Sequence, residues 1–304
     1  GAQHAAAFAA ISDVEVAAVV GRGPERAQHV AARCGAKASD DLRAILHDPE
    51  IDAVSVTCPT EYHAEVVSAA LEAGKHVFSE TPLTATAAEA ESLRDVARRV
   101  ERHLQVALLM RFARPAVDLH DVLESGSLGT PYAITTTRLA PGTTGTHHRD
   151  VLEEILLFDL DVLCWSLGQP ESVSATAVRG PEGRLDHVVA ALAWDRCRAW
   201  CEASYLAPPA RGYSTSVRAL CDDGALEGEF RVPIEGPPTV EVRRFRADAA
   251  PDVSPDLGVE PVAAECRHFA DVVRGRADPD LLDVDQALVS LRVLDRARES
   301  MTRR

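Results

Sequence analysis

Apolar and polar positions follow two different rhythms along this chain of 304 residues. In its first third, short apolar runs rich in β-branched residues at 14–20, 51–57, 76–79 and 104–110 alternate with alanine-rich stretches at 24–34, 41–47, 61–73 and 85–102. Strands alternating with helical segments of about 10–15 residues predict βαβ units, and so a parallel sheet buried on both faces. Gly74, directly after Leu71-Glu72-Ala73, stands where a helix C-terminal glycine is expected.

Beyond about residue 115 the rhythm changes. A helix at 116–125 runs into Gly-Ser-Leu-Gly, followed by a strand at 132–139, a Gly/Thr/His-rich loop at 141–148 and a helix at 151–167. Longer β-type runs come next, at 172–178, 187–194, 199–206, 214–221 and 239–245. Turn clusters such as "RGPEGR" and "CDDGA" separate them, which suits an antiparallel sheet. A polar, proline-rich stretch at 247–258 reads as a connector, and helices at 263–274 and 284–300 close the chain. No internal repeat of solenoid or propeller period is present. The pattern therefore predicts an α/β protein of two domains, 1–114 with a doubly wound parallel sheet and 115–304 with an open, mostly antiparallel one.

The first domain opens unusually. "GAQHAAAFAAI" reads as a helix from its first turn, with Gly1 at the N-terminal end. In a nucleotide-binding βαβ unit, a glycine-rich turn leads into such a helix, and the pyrophosphate rests on the helix N-terminus. Gly1 would be the last glycine of that turn. About ten further residues, carrying the first strand and the start of the turn, are expected before it. The second strand ends in Gly21-Arg22, where an acid would accept from an adenosine ribose. With no carboxylate there, Arg22 is either a surface arginine or a partner for a 2′-phosphate, and the latter favours NADP over NAD.

Composition narrows the function. Apolar residues make up 46% and charged residues 26%, the balance of a soluble globular protein. No apolar run approaches the roughly 18–20 residues of a membrane span, and no basic-then-apolar leader opens the chain, so a cytoplasmic protein is expected. A net charge of −15, with no basic stripe, argues against nucleic-acid and membrane partners. The seven cysteines form no CxxC pair, so neither a disulfide framework nor a zinc ribbon is indicated, and no metal is expected. Cys197 and Cys201 read as small buried hydrophobes on one face of a strand.

The stretches "GAQHAAAF", "VTCPTEYHAEVVSAALEAGKHVFSETPL", "ALLMRFARP", "SLGTPY", "LDVLCWSLGQP" and "ECRHFADVVRGRADPDLLDVDQALVSLRVLDRARES" resemble the glucose–fructose oxidoreductase / inositol dehydrogenase (Gfo/Idh/MocA) family, in order and over nearly the whole chain. The resemblance implies an N-terminal Rossmann domain, here without its first strand, and a C-terminal α/β domain. It also implies an NAD(P)-dependent oxidoreductase acting on a small sugar- or cyclitol-like molecule, and a homo-oligomer, dimer or tetramer, assembled through the open sheet. It puts Thr57, Pro59, His63, Glu80 and Arg111 with Gly1 and Arg22 on the cofactor side. His63 could equally be a surface residue at a helix start, and Arg111 could hold an anionic substrate group or pair with an acid.

The family's chemistry is hydride transfer between a carbinol carbon and nicotinamide, with a proton moved on the oxygen. The resemblance implies lysine in a Glu-Lys-Pro turn and an Asp-x-x-x-His helix. Here Glu80 and Pro82 match but Thr81 replaces the lysine, Glu154 stands for the aspartate, and Phe158 replaces the histidine. A positioned acid or base contributes roughly 10²–10⁴-fold, so other donors are required for turnover. The candidates are Glu154 and the loop histidines His147 and His148, with Thr81 supplying only a hydroxyl. The rival expectation is a catalytically silent relative that binds a nucleotide or metabolite.

Overall fold

The computed structural model of the protein describes residues 1–21, 23–142, 150–180 and 183–302. The chain forms two compact units, Gly1–Leu109 with Val259–Leu288, and Met110–Gly258 with Val289–Arg304. The linear boundary at 114/115 differs from this grouping because the helix α8 (Pro261–Val273) returns to pack on α1 (Ala2–Ala9). Phe269 of α8 lies edge-on to Phe8 and stacks on Phe78, at centroid distances of 6.2 and 5.2 Å.

In the first unit β1 (Ala18–Val20) pairs in parallel with β2 (Lys37–Ser39). A second parallel ladder runs β3 (Ala53–Val56), β4 (His76–Ser79), β5 (Leu104–Val106) in that order. Among the described residues no strand joins the two ladders. The intervening helices are α2 (Pro24–Cys34), α3 (Leu42–His47), α4 (His63–Glu72) and α5 (Ala87–Arg99). Val77, Phe78 and Ser79 of β4 are fully buried, as a central parallel strand requires. Helix starts and stops follow local chemistry. Thr86 and Glu89 form a capping box at α5, while Gly74, at φ +78°, ends the α4 turn in a left-handed conformation.

The second unit holds α6 (Ala116–Ser125), β6 (Pro131–Pro141), α7 (Leu157–Leu167), and strands β7 (Ser172–Arg179), β8 (Leu185–Ala193), β9 (Arg198–Ala207) and β10 (Tyr213–Cys221). Three more strands follow, β11 (Gly224–Val232), β12 (Thr239–Arg246) and β13 (Ala249–Ser254). They form one eight-stranded sheet in the order β13-β12-β11-β10-β6-β9-β8-β7, antiparallel except for the parallel pair β6–β9. Cys197 and Cys201 are buried in its region, as expected of small hydrophobes. The 247–258 connector expectation is corrected: β13 lies within it. Its residues are nearly all exposed, so no apolar alternation marks it as a strand. β11 was hidden for a related reason, since Glu227-Gly228-Glu229 interrupts its pattern. Gly228 itself is required, because a Cβ there would sit 2.4 Å from Cβ of Pro115. The last helix, α9, is Val284–Thr302. No helix among the described residues is long and apolar enough to cross a membrane.

Candidate active site

In the first unit the carboxyl ends of β3 and β4 lie side by side, and Glu80 N–H donates to the Val56 carbonyl at 2.9 Å. This places Thr57 and Pro59, just past β3, beside the Glu80-Thr81-Pro82 turn just past β4. Ligands of open parallel sheets bind at such strand ends. The N-terminus of α1 arrives at the same place: a Cβ built on Gly1 would meet Thr57 Oγ1 at 2.8 Å. Only glycine is accommodated there without a shift of Thr57, and it opens a helix N-terminus at the strand ends, the setting in which a pyrophosphate is held, so the residues present fit a dinucleotide.

Two buried histidines hold these turns. His63, 1% exposed at the start of α4, has Nδ1 at 3.0 Å from the Pro82 carbonyl and Nε2 at 2.8 Å from the Cys58 carbonyl. Both ring nitrogens face backbone oxygens, so His63 is neither a surface residue nor a free donor toward a ligand; it ties the two turns together. His4 of α1 has Nδ1 at 2.9 Å from Ser55 Oγ and Nε2 at 3.1 Å from Glu80 Oε1. Burial alone would push the Glu80 pKa up. The approach of His4 outweighs that, and the net shift is downward. The Glu80 carboxylate also accepts from Thr81 N–H at 3.2 Å. His4 stood in the quoted "GAQHAAAF" but its partner, 76 positions away, gave no local signal.

In the second unit Glu154 sits on a π-helical turn, Leu152–Leu156, that leads into α7. Such turns are rare and concentrate at functional sites. Tyr205 of β9, buried at 2% exposure, donates its hydroxyl to Glu154 Oε2. Burial first, and then Glu154, push the Tyr205 pKa well above its usual value, so the phenol stays protonated.

Phe158, one turn on, faces a cation: the Arg138 guanidinium carbon lies 5.4 Å from its ring centroid. Arg138 is fully enclosed and donates to Asp159 at 2.9 and 3.3 Å and to the Tyr213 hydroxyl. Burial opposes its charge, but Asp159 and Tyr213 more than offset this and the guanidinium stays protonated. Arg111, expected on the cofactor side, is instead committed to Asp161 in a buried two-point pair at 2.8 and 3.0 Å, with Trp165 against its guanidinium. Of the two readings its sequence left open, the acid pair is the one observed. Arg22, His147 and His148 lie outside the described residues. Sequence reasoning missed Tyr205 and Arg138 because each is one buried position in a long strand pattern.

A model of the oxidoreductase family with an NAD-binding Rossmann fold, Gfo/Idh/MocA, matches residues 1–108. UDP-N-acetylglucosamine 3-dehydrogenase of Acidithiobacillus ferrooxidans is 34% identical over 189 residues, 62% of this chain and 58% of that enzyme. Its solved structure superposes with a TM-score of 0.82 at 25% identity, covering 99% of this chain and 93% of that one. Inositol 2-dehydrogenase of Salmonella typhimurium is 29% identical over 163 residues, 52% of this chain and 48% of that enzyme. In these sequence matches the chain spans about half the length of the curated relatives. A 3-ketoreductase from Actinomadura kijaniata, solved with TDP-benzene and NADP, shares the fold at a TM-score of 0.83 and 22% identity, covering 98% of this chain and 93% of that one.

Proposed function

We propose that the protein is an NAD(P)-dependent oxidoreductase that interconverts a hydroxyl and a ketone on a sugar, cyclitol or sugar nucleotide. The carrying observation is the meeting of the α1 N-terminus, Thr57 and the Glu80 turn at the strand ends. The relatives named for UDP-N-acetylglucosamine and inositol support the substrate class. Bound nicotinamide would supply or accept the hydride. Gly1, Thr57 and Pro59 would hold the dinucleotide, with His63 and His4 fixing the turns around it. Arg22 would bond a 2′-phosphate, which favours NADP.

The proton on the substrate oxygen needs another donor than the usual pair. Thr81 offers a hydroxyl and Phe158 an apolar ring, so neither can carry a charge change. Glu154, oriented by the Tyr205 phenol, is the group assigned to move that proton, with His147 and His148 as the remaining candidates. In the reductive direction the hydride goes to the carbonyl carbon and the proton from this group to the oxygen.

A second reading, a relative that binds the nucleotide without turnover, is favoured by Thr81 and Phe158. Fluorescence titration with NADPH, followed by single-turnover oxidation with a panel of keto-sugars and keto-sugar nucleotides, separates the two. NADPH binding with no oxidation by any of them would favour the silent reading, and binding of neither NADPH nor NADH would remove both.

A further inference from the structure

The buried acid Glu265 is not used by the chemistry above. It lies on α8 at 1% exposure, with Oε1 3.9 Å from His4 Nε2, the same nitrogen that stands 3.1 Å from Glu80 Oε1. Its other oxygen, Oε2, has no hydrogen-bond partner among the described residues. A buried acid left half-satisfied costs stability, so its presence calls for a role other than cohesion. The His4 ring between the two acids is fixed on all sides. Ser55 Oγ stands at its Nδ1, and Phe78 is stacked on it at 5.3 Å and 23°. Phe269, one turn after Glu265 on α8, also stacks on Phe78. One helix thus delivers both the acid and the ring that packs against Phe78, the stacking partner of the imidazole.

We propose that Glu265 is a positioning residue of the dinucleotide site: acting through the imidazole of His4, it fixes the carboxylate of Glu80 and with it the Glu80-Thr81-Pro82 turn. This rests on the reading above that the turn serves the cofactor. One imidazole nitrogen cannot serve two carboxylates at once. Burial, reinforced by the charges of Glu80 and Glu260, pushes the Glu265 pKa up to about 9. At neutral pH Glu265 is therefore a neutral acid, and His4 is left to the ionised Glu80. Cys266 also faces the cluster. Burial raises the pKa of its thiol, so Cys266 remains uncharged across the same range. Once Glu265 ionises, a second carboxylate competes for His4 and the turn loosens.

The test compares the full-length protein with its E265Q and E265L variants, by NADPH titration from pH 6 to 10 and by NMR titration of the His4 imidazole. In the unaltered protein NADPH affinity falls at least about fivefold between pH 8 and 10, the lower end of typical coupling between sites. The His4 resonances move over the same interval. E265Q and E265L, neutral throughout, both abolish these changes. An E265Q profile that still falls above pH 8 overturns the proposal, as do His4 resonances indifferent to pH 8–10 in the unaltered protein. Failure of the unaltered protein to bind NADPH at pH 7 strikes the cofactor reading instead, and the His4 titration then decides the linkage alone.

Discussion

Tyr205 donates its hydroxyl to the carboxylate of Glu154, joining strand β9 to the π-helical turn ahead of α7. The phenol cannot ionise near neutral pH, so it acts only as a fixed donor to the acid. Glu154→Gln is expected to lower the turnover rate with a true substrate by roughly 10²-fold or more. Tyr205→Phe, which loses only the orienting bond, is expected to cost less. The double variant should be no slower than Glu154→Gln alone, because the two groups act as one unit. Additive losses in the measured kcat values would show two separate roles.

Cofactor choice gives an independent check. A charge-assisted bond from Arg22 to the 2′-phosphate, worth roughly 1.5–3 kcal/mol, corresponds to about a 10–150-fold preference for NADP over NAD. Arg22→Ala should remove most of that preference and leave NAD affinity nearly unchanged. Equal affinity of the unaltered protein for both dinucleotides, read by calorimetry, would refute the assignment.

Restoring the family's proton groups by Thr81→Lys with Phe158→His has a pH signature. Arg138 lies against position 158, and its charge disfavours an imidazolium there. The new histidine should therefore titrate below its ordinary value of about 6.5. Ketone reduction by the double variant, which needs the protonated ring, is expected to rise as pH falls through and below that value. A rate that peaks near pH 8 would mean that Arg138 does not act on the introduced ring.

Glu265 also makes stability depend on pH, whatever the ligand. Its pKa rises from 4.5 in the unfolded chain to about 9 in the folded one. Its favourable contribution is thus fully present below pH 4.5 and is lost as pH rises through the folded value. The unfolding temperature of the unaltered protein, measured against E265Q, should fall from pH 5 to 9 and level off beyond. A difference that stays constant over that interval would place Glu265 in a solvated setting.

Much of the architecture was legible because burial and period coincide. The β4 run at 76–79 and the helix at 24–34 emerged at their sequence-read bounds: β4 is a buried central strand, and Gly23-Pro24 and Gly35 mark the two ends of the helix. β2 and β13 did not, being short or almost wholly exposed and held by ladder hydrogen bonds instead of side-chain burial. The site divides in the same way. Glu80, Thr81 and His63 could be found because they sit within one continuous stretch of chain. Tyr205 and Glu265 matter through partners at 154 and 4, and a single sequence carries no signal for contacts of that separation. Arg111 shows the converse: its residue type suits an anion, but the buried Asp161 takes both arms of its fork.

The strand at one end of the eight-stranded sheet has a bearing on how the molecule avoids unwanted company. β13 carries Pro251, which has no N–H to offer, and Asp252, whose charge resists entry into an apolar ladder. Its pairing with β12 also slips register between Arg244 and Arg246, which interrupts the ladder. A free sheet edge invites another chain to add itself strand by strand, the first step toward fibrils. Here that invitation is withdrawn by three small irregularities in six residues, and the sheet is terminated on that side as a template.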